Sequence, residues 1–530
     1  MVMKNSQKTF LFVCLALFAL SCSKKKTKEV QPKQHPNIIF VLADDLGYGD
    51  ISAFNNDCKI STPYLDQLAE EGMRFTDAHT SSAVCTPTRY GIMTGRYNWR
   101  STLKEGVLIG ASKALIPKTR TTVASILKKN GYSTAFIGKW HLGWDWALKN
   151  PDLEATTGWQ DTTFTNIDYT KPVKNSPNDL GFDYAYGHSG SLDMAPYVYV
   201  ENGMATQIPD STTVNTGKYS WWRKGPTSKD FIHEDVTPNF FRRGIKYVKE
   251  QADKEDPFFL YLALPSPHTP ILPTKEWQEK SGLNPYGDFM MMIDDYMGKL
   301  NDAVKNAGIE DNTIIVFTSD NGCSPAAKIE ELTEKGHYPS YIYRGHKADI
   351  FEGGHRVPYI VKWPEKVKKG SVNPQTICTT DFAATCAAIV GYELKANEAE
   401  DSYNMLPLLN QEPIKGDFRE ATVHHSINGS FAIRKGDWKL IMCPDSGGWS
   451  FPTPNNKKAL DGLPKVQLYN LKNDPAESNN LQASNTEKVE ELRRLLTKYI
   501  IEGRSTEGIA QRNDGEDAIW KQLWWMDNEN

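Results

Sequence analysis

An α/β fold is what this sequence predicts: a doubly wound, mostly parallel sheet flanked by helices, followed by a smaller α+β subdomain with an antiparallel sheet. Three observations carry the expectation. Short continuous apolar runs, such as Ile38-Ile39-Phe40-Val41-Leu42, fit strands covered on both faces. From Asn37 onward such runs alternate with helical patterns, the rhythm of βα units. After about Asp417 the pattern changes to hairpin chemistry.

The elements follow in order. Asn37 to Ala43 reads as the first buried strand. Thr62-Pro63 opens a helix carrying Leu65 and Leu68, with Gly72 as its stop. A helix with Val123, Ile126 and Leu127 ends at Gly131, and a strand covers Thr134 to Ile137. Thr237-Pro238 starts a helix with Phe241, Ile245 and Val248, before a strand from Phe258 to Leu264. Asp288 to Leu300 is a helix whose Met290, Met291, Ile293 and Met297 read as core. Thr313 to Phe317 is another buried strand. From Trp144 to about Asp230 the rhythm breaks into a stretch rich in Gly, Pro, Asn, Asp and aromatics, among them Trp159, Trp221 and Trp222. Irregular insertions of this kind often line a site. Farther on, Phe431 to Arg434 and Trp438 to Ile441 flank Lys435-Gly436-Asp437 as a hairpin, Val466 to Leu471 is a strand, and a helix runs from Glu487.

The start of the chain reads as a targeting segment. Lys4 and Lys8 precede an apolar run from Phe10 to Leu20 that is short for a bilayer span. Ala19-Leu20-Ser21-Cys22 resembles a lipobox, the bacterial lipoprotein cleavage site. That resemblance implies a signal peptide over 1–21, a lipid on Cys22, and a protein held at the membrane only through that lipid. Plain secretion with cleavage nearby is the alternative. Either way the protein is exported, to the periplasm or cell surface. Lys24, Lys25, Lys26 and the polar residues to 36 read as a flexible tether. The catalytic domain is then expected over 37–416 and the C-terminal subdomain over 417–530.

A net charge of −4 over 530 residues gives no sign of a nucleic-acid partner. The 8 cysteines show no zinc spacing and no dense disulfide framework, which leaves room for one or two disulfides. With 14 Trp and 23 Tyr, the chain has aromatics for a carbohydrate surface or for a large core.

Chemistry concentrates at Ala83-Val84-Cys85-Thr86-Pro87-Thr88-Arg89-Tyr90-Gly91-Ile92-Met93-Thr94-Gly95. Pro87 suits a first helical turn, which puts Cys85 just before the helix, beside free N–H groups. Arg89, four residues on, can reach back toward it. Four strand ends hand over to polar residues at the edge where open α/β sheets bind ligands. They are Asp44-Asp45 after the first strand, Gly138-Lys139-Trp140-His141, Pro267-His268, and Ser319-Asp320-Asn321. Asp44, Asp45, Asp320 and Asn321 are hard oxygen donors suited to calcium or magnesium. Lys139 and Lys347 can hold an oxyanion, and His141 and His268 can move protons near neutral pH.

Cys85-Thr86-Pro87-Thr88-Arg89 with its Thr94-Gly95 tail resembles the sulfatase signature, and Lys347 with Glu352-Gly353-Gly354 and Arg356-Val357-Pro358 resembles that family's second element. His346 and Ala348 stand where the family often has glycine. The resemblance implies the alkaline-phosphatase-like fold and sulfate-ester hydrolysis. It implies a formylglycine (3-oxoalanine) made from Cys85 by a formylglycine-generating enzyme, and a Ca2+ ion held by Asp44, Asp45, Asp320, Asn321 and residue 85. It further implies that Arg89 supports the modified residue, that Lys139 and Lys347 bind sulfate oxygens, that His268 faces the leaving oxygen, and that His141 sits beside the formylglycine. Export and the aromatic insertion suggest a sulfated carbohydrate, and general similarity points to a terminal galactose or N-acetylgalactosamine sulfate, at O6. Arg100, His188, Asp193, Trp222, His425 and Trp449 are the candidate sugar contacts. Two other functions compete: a phosphatase or phosphodiesterase of the same superfamily, and a glycan-binding homologue without turnover.

Overall fold

The computed structural model describes residues 35–515 and 521–526, all within one compact unit. The expected signal peptide, Cys22 and the tether through residue 34 lie outside the described residues.

A ten-stranded sheet forms the centre. Thr313–Ser319, Asn37–Asp44, Phe258–Pro267, Ser133–Lys139 and Tyr184–His188 lie side by side in that order, each parallel to its neighbours. Antiparallel strands extend both edges, Tyr359–Lys362 next to Thr313–Ser319 and Val200–Glu201 next to Tyr184–His188. Asn37–Asp44 is buried along its whole length, as a strand with no polar face must be.

Strand alternation decides which layer each side chain meets. Phe40 and Phe259 point to the Phe382–Ile389 helix, with ring centroids 4.4 and 6.0 Å from Phe382. Leu260 and Leu262 point the other way, to Gly244 of the Val236–Ala252 helix. Helices therefore cover both faces. The helix expected from Asp288 starts earlier, at Pro285, where Asn284 caps it by accepting from the Tyr286 and Gly287 N–H groups at the head of Pro285–Asn306. The Val123–Lys129 helix ends before Gly131, which takes a left-handed turn at φ 85°.

The insertion after Trp144 is largely irregular but contains a sheet strand, Tyr184–His188. Five residues without an apolar run gave little pattern to read. Gly187 lets this strand close on its neighbour, since a Cβ there would lie 1.8 Å from the Gly138 carbonyl oxygen.

Beyond residue 417, Thr422–His425, Phe431–Lys435, Trp438–Ile441 and Gln467–Asn470 form an antiparallel sheet. The Thr486–Ile501 helix buries Leu492, Leu496 and Tyr499 in a cluster with Ile433 and Leu440. The Ala83 N–H donates to the His425 carbonyl at 2.9 Å, which ties this sheet to the cysteine loop. A buried polar chain joins the same two parts. Lys439 lies 3.0 Å from His355 Nε2, His355 Nδ1 lies 3.1 Å from His79 Nδ1, and His79 Nε2 lies 2.9 Å from Asp77. An ammonium group only donates, so His355 carries its proton on Nδ1 and His79 on Nε2. Burial keeps both imidazoles below the ordinary histidine pKa. Among the described residues Cys58, Cys85, Cys323, Cys378, Cys386 and Cys443 are all free thiols, so none of them forms a disulfide.

One buried imidazole gives a clean test. His233 stacks on Trp222 with centroids 4.0 Å apart, and burial lowers its pKa to about 3. A depressed histidine costs stability as pH falls below its unfolded value near 6.5, at about 1.4 kcal/mol per pH unit until about pH 3. His233→Phe keeps the stack and removes the titration. Urea unfolding from pH 7 to 4 should show the variant losing less stability per pH unit than the parent; parallel profiles would disprove it.

Candidate active site

Strand register assembles the acidic half of the site. Ala43 pairs with Ser319, so the residues that follow the two strands emerge together. The Asp320 N–H donates to the Ala43 carbonyl at 3.1 Å, and the Asp45 N–H to Asp320 Oδ1 at 3.3 Å. Asp45 turns back with a left-handed φ of 68°. The Asn321 amide donates to Asp45 Oδ1 at 2.7 Å. Asp44 Oδ1 and Asn321 Oδ1 are buried without a partner.

Three buried cations face these groups. Lys139, at the end of its strand, donates to Asp44 at 2.5 Å and to Ser191 Oγ at 2.7 Å. Lys347 sits 2.7 Å from Asp45. Arg89 donates to Asp320 Oδ2 from Nε and a terminal nitrogen, at 3.0 and 2.7 Å, and to the Lys139 carbonyl at 2.9 Å. Burial alone would raise Asp44, but Lys139, His268 and Arg89 hold its carboxyl well below the usual range. Burial and the charge of Asp44 push Asp320 up to about 7 despite Arg89. Three cations face three carboxylates, yet Asp320 stays raised, and a further cation beside it would bring it down.

Cys85 is the first residue of the Cys85–Thr94 helix, after an extended Val84 at φ −146°, rather than the residue before the helix. Arg89, one turn on, reaches across to Asp320 instead of back to the thiol, because a buried carboxylate attracts a guanidinium more strongly than a neutral sulfur does. Burial raises the Cys85 thiol pKa. A ligating atom from each of Asp44, Cys85 and Asp320 falls within 4.8 Å of the others, and the same holds for Asp44, Asp45 and His268. His268 Nε2 lies 3.3 Å from Ser191 Oγ and 3.7 Å from Asp45. His141 donates from Nε2 to the Leu108 carbonyl at 2.8 Å, and the Leu108 N–H donates to Thr86 Oγ1, beside Cys85, at 3.2 Å. A carbonyl only accepts, so His141 Nδ1 keeps a bare lone pair; it is buried and unpartnered. Burial and Lys139 hold this histidine well below its ordinary pKa, hence neutral.

A cavity of about 510 Å³ opens on this cluster, with Cys85, His268 and Lys347 in its lining. Asp193 and Trp449, two of the expected sugar contacts, also line it. Four others do not. Arg100 is fully buried, paired with both oxygens of Asp401 at 2.7 and 2.9 Å and laid over Trp99. His188 stacks on Phe240, His425 packs on Phe431 and bonds Asn98, and Trp222 covers His233. Trp159 and Trp221, named with the insertion expected to line a site, do line the cavity, as do Lys218 and Arg223, which the sequence reading did not single out. The mixed basic and aromatic run from Lys218 to Lys224 was the signal for three of them. Ser191, which touches both Lys139 and His268, had no signal at all. If Arg100 is structural, Arg100→Met should cost about 3–5 kcal/mol in unfolding free energy, the cost of stranding a buried partner charge. KM of the folded fraction should stay unchanged; a raised KM at unchanged stability would return Arg100 to the substrate.

Residues 36–392 match the sulfatase family model. The chain belongs to the sulfatase family and is a sulfuric ester hydrolase. It is 32% identical to an N-acetylgalactosamine-6-O-sulfatase of Bacteroides thetaiotaomicron, over 93% of this chain and 99% of that one. It is 30% identical to human arylsulfatase A, over 91% of each. A solved structure from work on the metabolism of multiple glycosaminoglycans by Bacteroides thetaiotaomicron superposes with a TM-score of 0.75 at 31% identity, covering 88% of this chain and 99% of that one.

Proposed function

We propose that this protein is an exported carbohydrate sulfatase that removes sulfate from a terminal sugar. The observation that carries the reading is the group of cations, Lys139, Lys347 and Arg89, gathered around Cys85 and the three aspartates beside a cavity. Galactose or N-acetylgalactosamine 6-sulfate is the proposed substrate, supported by the named activity of the Bacteroides relative. The N-terminal segment supports export, with Cys22 as the lipid-bearing residue.

The donor set fits a calcium ion. Asp44, Asp45, Asp320 and Asn321 offer oxygens alone, two of them buried and unpartnered, and the crowding that raises Asp320 is what a divalent cation relieves. Cys85 fits formylglycine, being small, buried and next to that set. When present, the two groups supply a hydrated aldehyde as nucleophile and the positive charge that favours its ionised form.

The chain's own residues do the rest. Arg89 braces Asp320 and holds the Lys139 carbonyl, so the helix carrying residue 85 stays registered to the sheet edge. Lys139 and Lys347 bind the sulfuryl oxygens and offset charge as it spreads. They now rest on Asp44 and Asp45, and against the pull of burial the charge of Asp45 holds the Lys347 ammonium above its ordinary pKa. His268 has Nδ1 committed to the Thr269 carbonyl at 2.5 Å, and as the imidazolium it delivers its Nε2 proton to the departing sugar oxygen. His141 takes a proton at its bare Nδ1, the other nitrogen being committed to Leu108. Tight burial of residue 85 excludes stray water.

Three experiments test this. Mass spectrometry of the peptide containing residue 85, from protein made with a maturation enzyme, should find an aldehyde in place of the thiol. Cys85→Ala should abolish turnover of a sulfated sugar, with an unchanged melting temperature; near-normal turnover would end the reading, as would faster hydrolysis of the matching phosphate ester. Calcium should raise the melting temperature of the parent by binding the folded state, about 2.7 kcal/mol of stabilisation at a hundredfold excess over Kd. Asp320→Asn should abolish that shift, and an equal shift in the variant would refute the ligand set.

A further inference from the structure

The cavity wall holds a buried acid that the reaction above does not use. Asp193 is 4% exposed and lines the cavity. Its Oδ2 is paired with Arg223, while its Oδ1 is buried with no partner. A carboxylate oxygen stranded in a dry wall is costly, and such groups are normally satisfied. The surroundings hold this one rigidly. Its main-chain carbonyl accepts from the Tyr197 hydroxyl at 3.0 Å and from the Arg223 N–H at 3.1 Å. The Arg223 guanidinium lies 4.8 Å from the Trp221 ring and 5.1 Å from the Trp159 ring, so it is clamped between two aromatics. The same segment is coupled to the reacting end of the site. Ser191, two residues earlier, contacts Lys139 and His268, and the Met194 N–H closes a turn on the Ser191 carbonyl at 2.9 Å.

We infer that Asp193 is the residue that reads the sugar: Oδ1 accepts a hydrogen bond from a ring hydroxyl of the residue that carries the sulfate. An ionised carboxylate accepts and cannot donate, so the ligand atom opposite it must be a donor. An amine would also donate, but Arg223, Lys218 and Lys347 in the same lining disfavour a cation. A hydroxyl remains. Trp449, 46% exposed in the same lining, offers an apolar face for a sugar ring. The inference rests on the carbohydrate-sulfatase reading and adds to it: this pocket selects hydroxyl-bearing sulfates over aryl or steroid sulfates.

The test compares two substrates and two proteins, both matured at residue 85. The parent should hydrolyse a 6-sulfated galactose or N-acetylgalactosamine and, less efficiently, 4-nitrophenyl sulfate, which has no hydroxyl. Asp193→Ala should lose about 10- to 100-fold in kcat/KM on the sugar, the range for a hydrogen bond to a buried charge, and change little on the aryl sulfate. Asp193→Asn, closer in shape, serves if the alanine variant melts early. Sugars lacking one ring hydroxyl complete the cycle: one deoxy analogue should be poor for the parent, with no further loss in the variant. Equal losses on both substrates, or losses that simply add for every deoxy sugar, would overturn the assignment of Asp193 alone. A parent that cleaves the aryl sulfate but no sulfated sugar would overturn the carbohydrate reading instead.

Discussion

Three carboxylates brought to one sheet edge are the constraint to which the rest of this structure answers. Asp44, Asp45 and Asp320 meet because the first strand and the Thr313–Ser319 strand pair in register and end together. Buried acids at this spacing repel one another strongly in a low dielectric. The chain balances them with Lys139, Lys347 and Arg89, each from a different element, and the sheet order follows from that need. Ser133–Lys139 must lie near the first strand to deliver Lys139. Gly138 makes the close approach possible, at a φ of 134° and where a Cβ would meet the Ala263 carbonyl at 1.8 Å. The helix from Cys85 must dock against the same edge to deliver Arg89. Fold and site are here a single electrostatic arrangement.

Much of this was written plainly in the sequence. Strands buried on both faces have to be continuous apolar runs, so Asn37–Asp44, Phe258–Pro267 and Thr313–Ser319 could be read with their polar ends attached. The cysteine loop and the acidic residues were visible for the same reason. What could not be read depends on distant contacts. Tyr184–His188 is a strand only because a neighbour with a matching glycine receives it. Arg100 and Arg223 look equivalent along the chain, yet one is spent on Asp401 in the core and the other faces the cavity. Trp221 and Trp222 are adjacent, and only the first lines the cavity.

The site divides between two kinds of backbone. Asp44, Asp45, Lys139, His268 and Asp320 lie at or just after strand ends and Cys85 opens a helix, where the scaffold is stiff, while Lys347 lies in a turn. The outer lining of the cavity comes largely from the insertion after Trp144 and from the segment around Trp449. Such segments can change without disturbing the sheet, as is usual when one scaffold serves many substrates.

The chain of Asp77, His79, His355 and Lys439 has a consequence of its own. Each imidazole spends both nitrogens, so no member can leave without stranding its neighbours in the interior. The chain spans from the main sheet's surroundings to Trp438–Ile441, and Thr422–His425, two strands along in the same sheet, also holds the loop before Cys85. The C-terminal sheet is thus part of what keeps the loop before Cys85 in place. A truncation ahead of it would blunt the enzyme from a distance, with every acid, base and cation of the centre still present in the polypeptide.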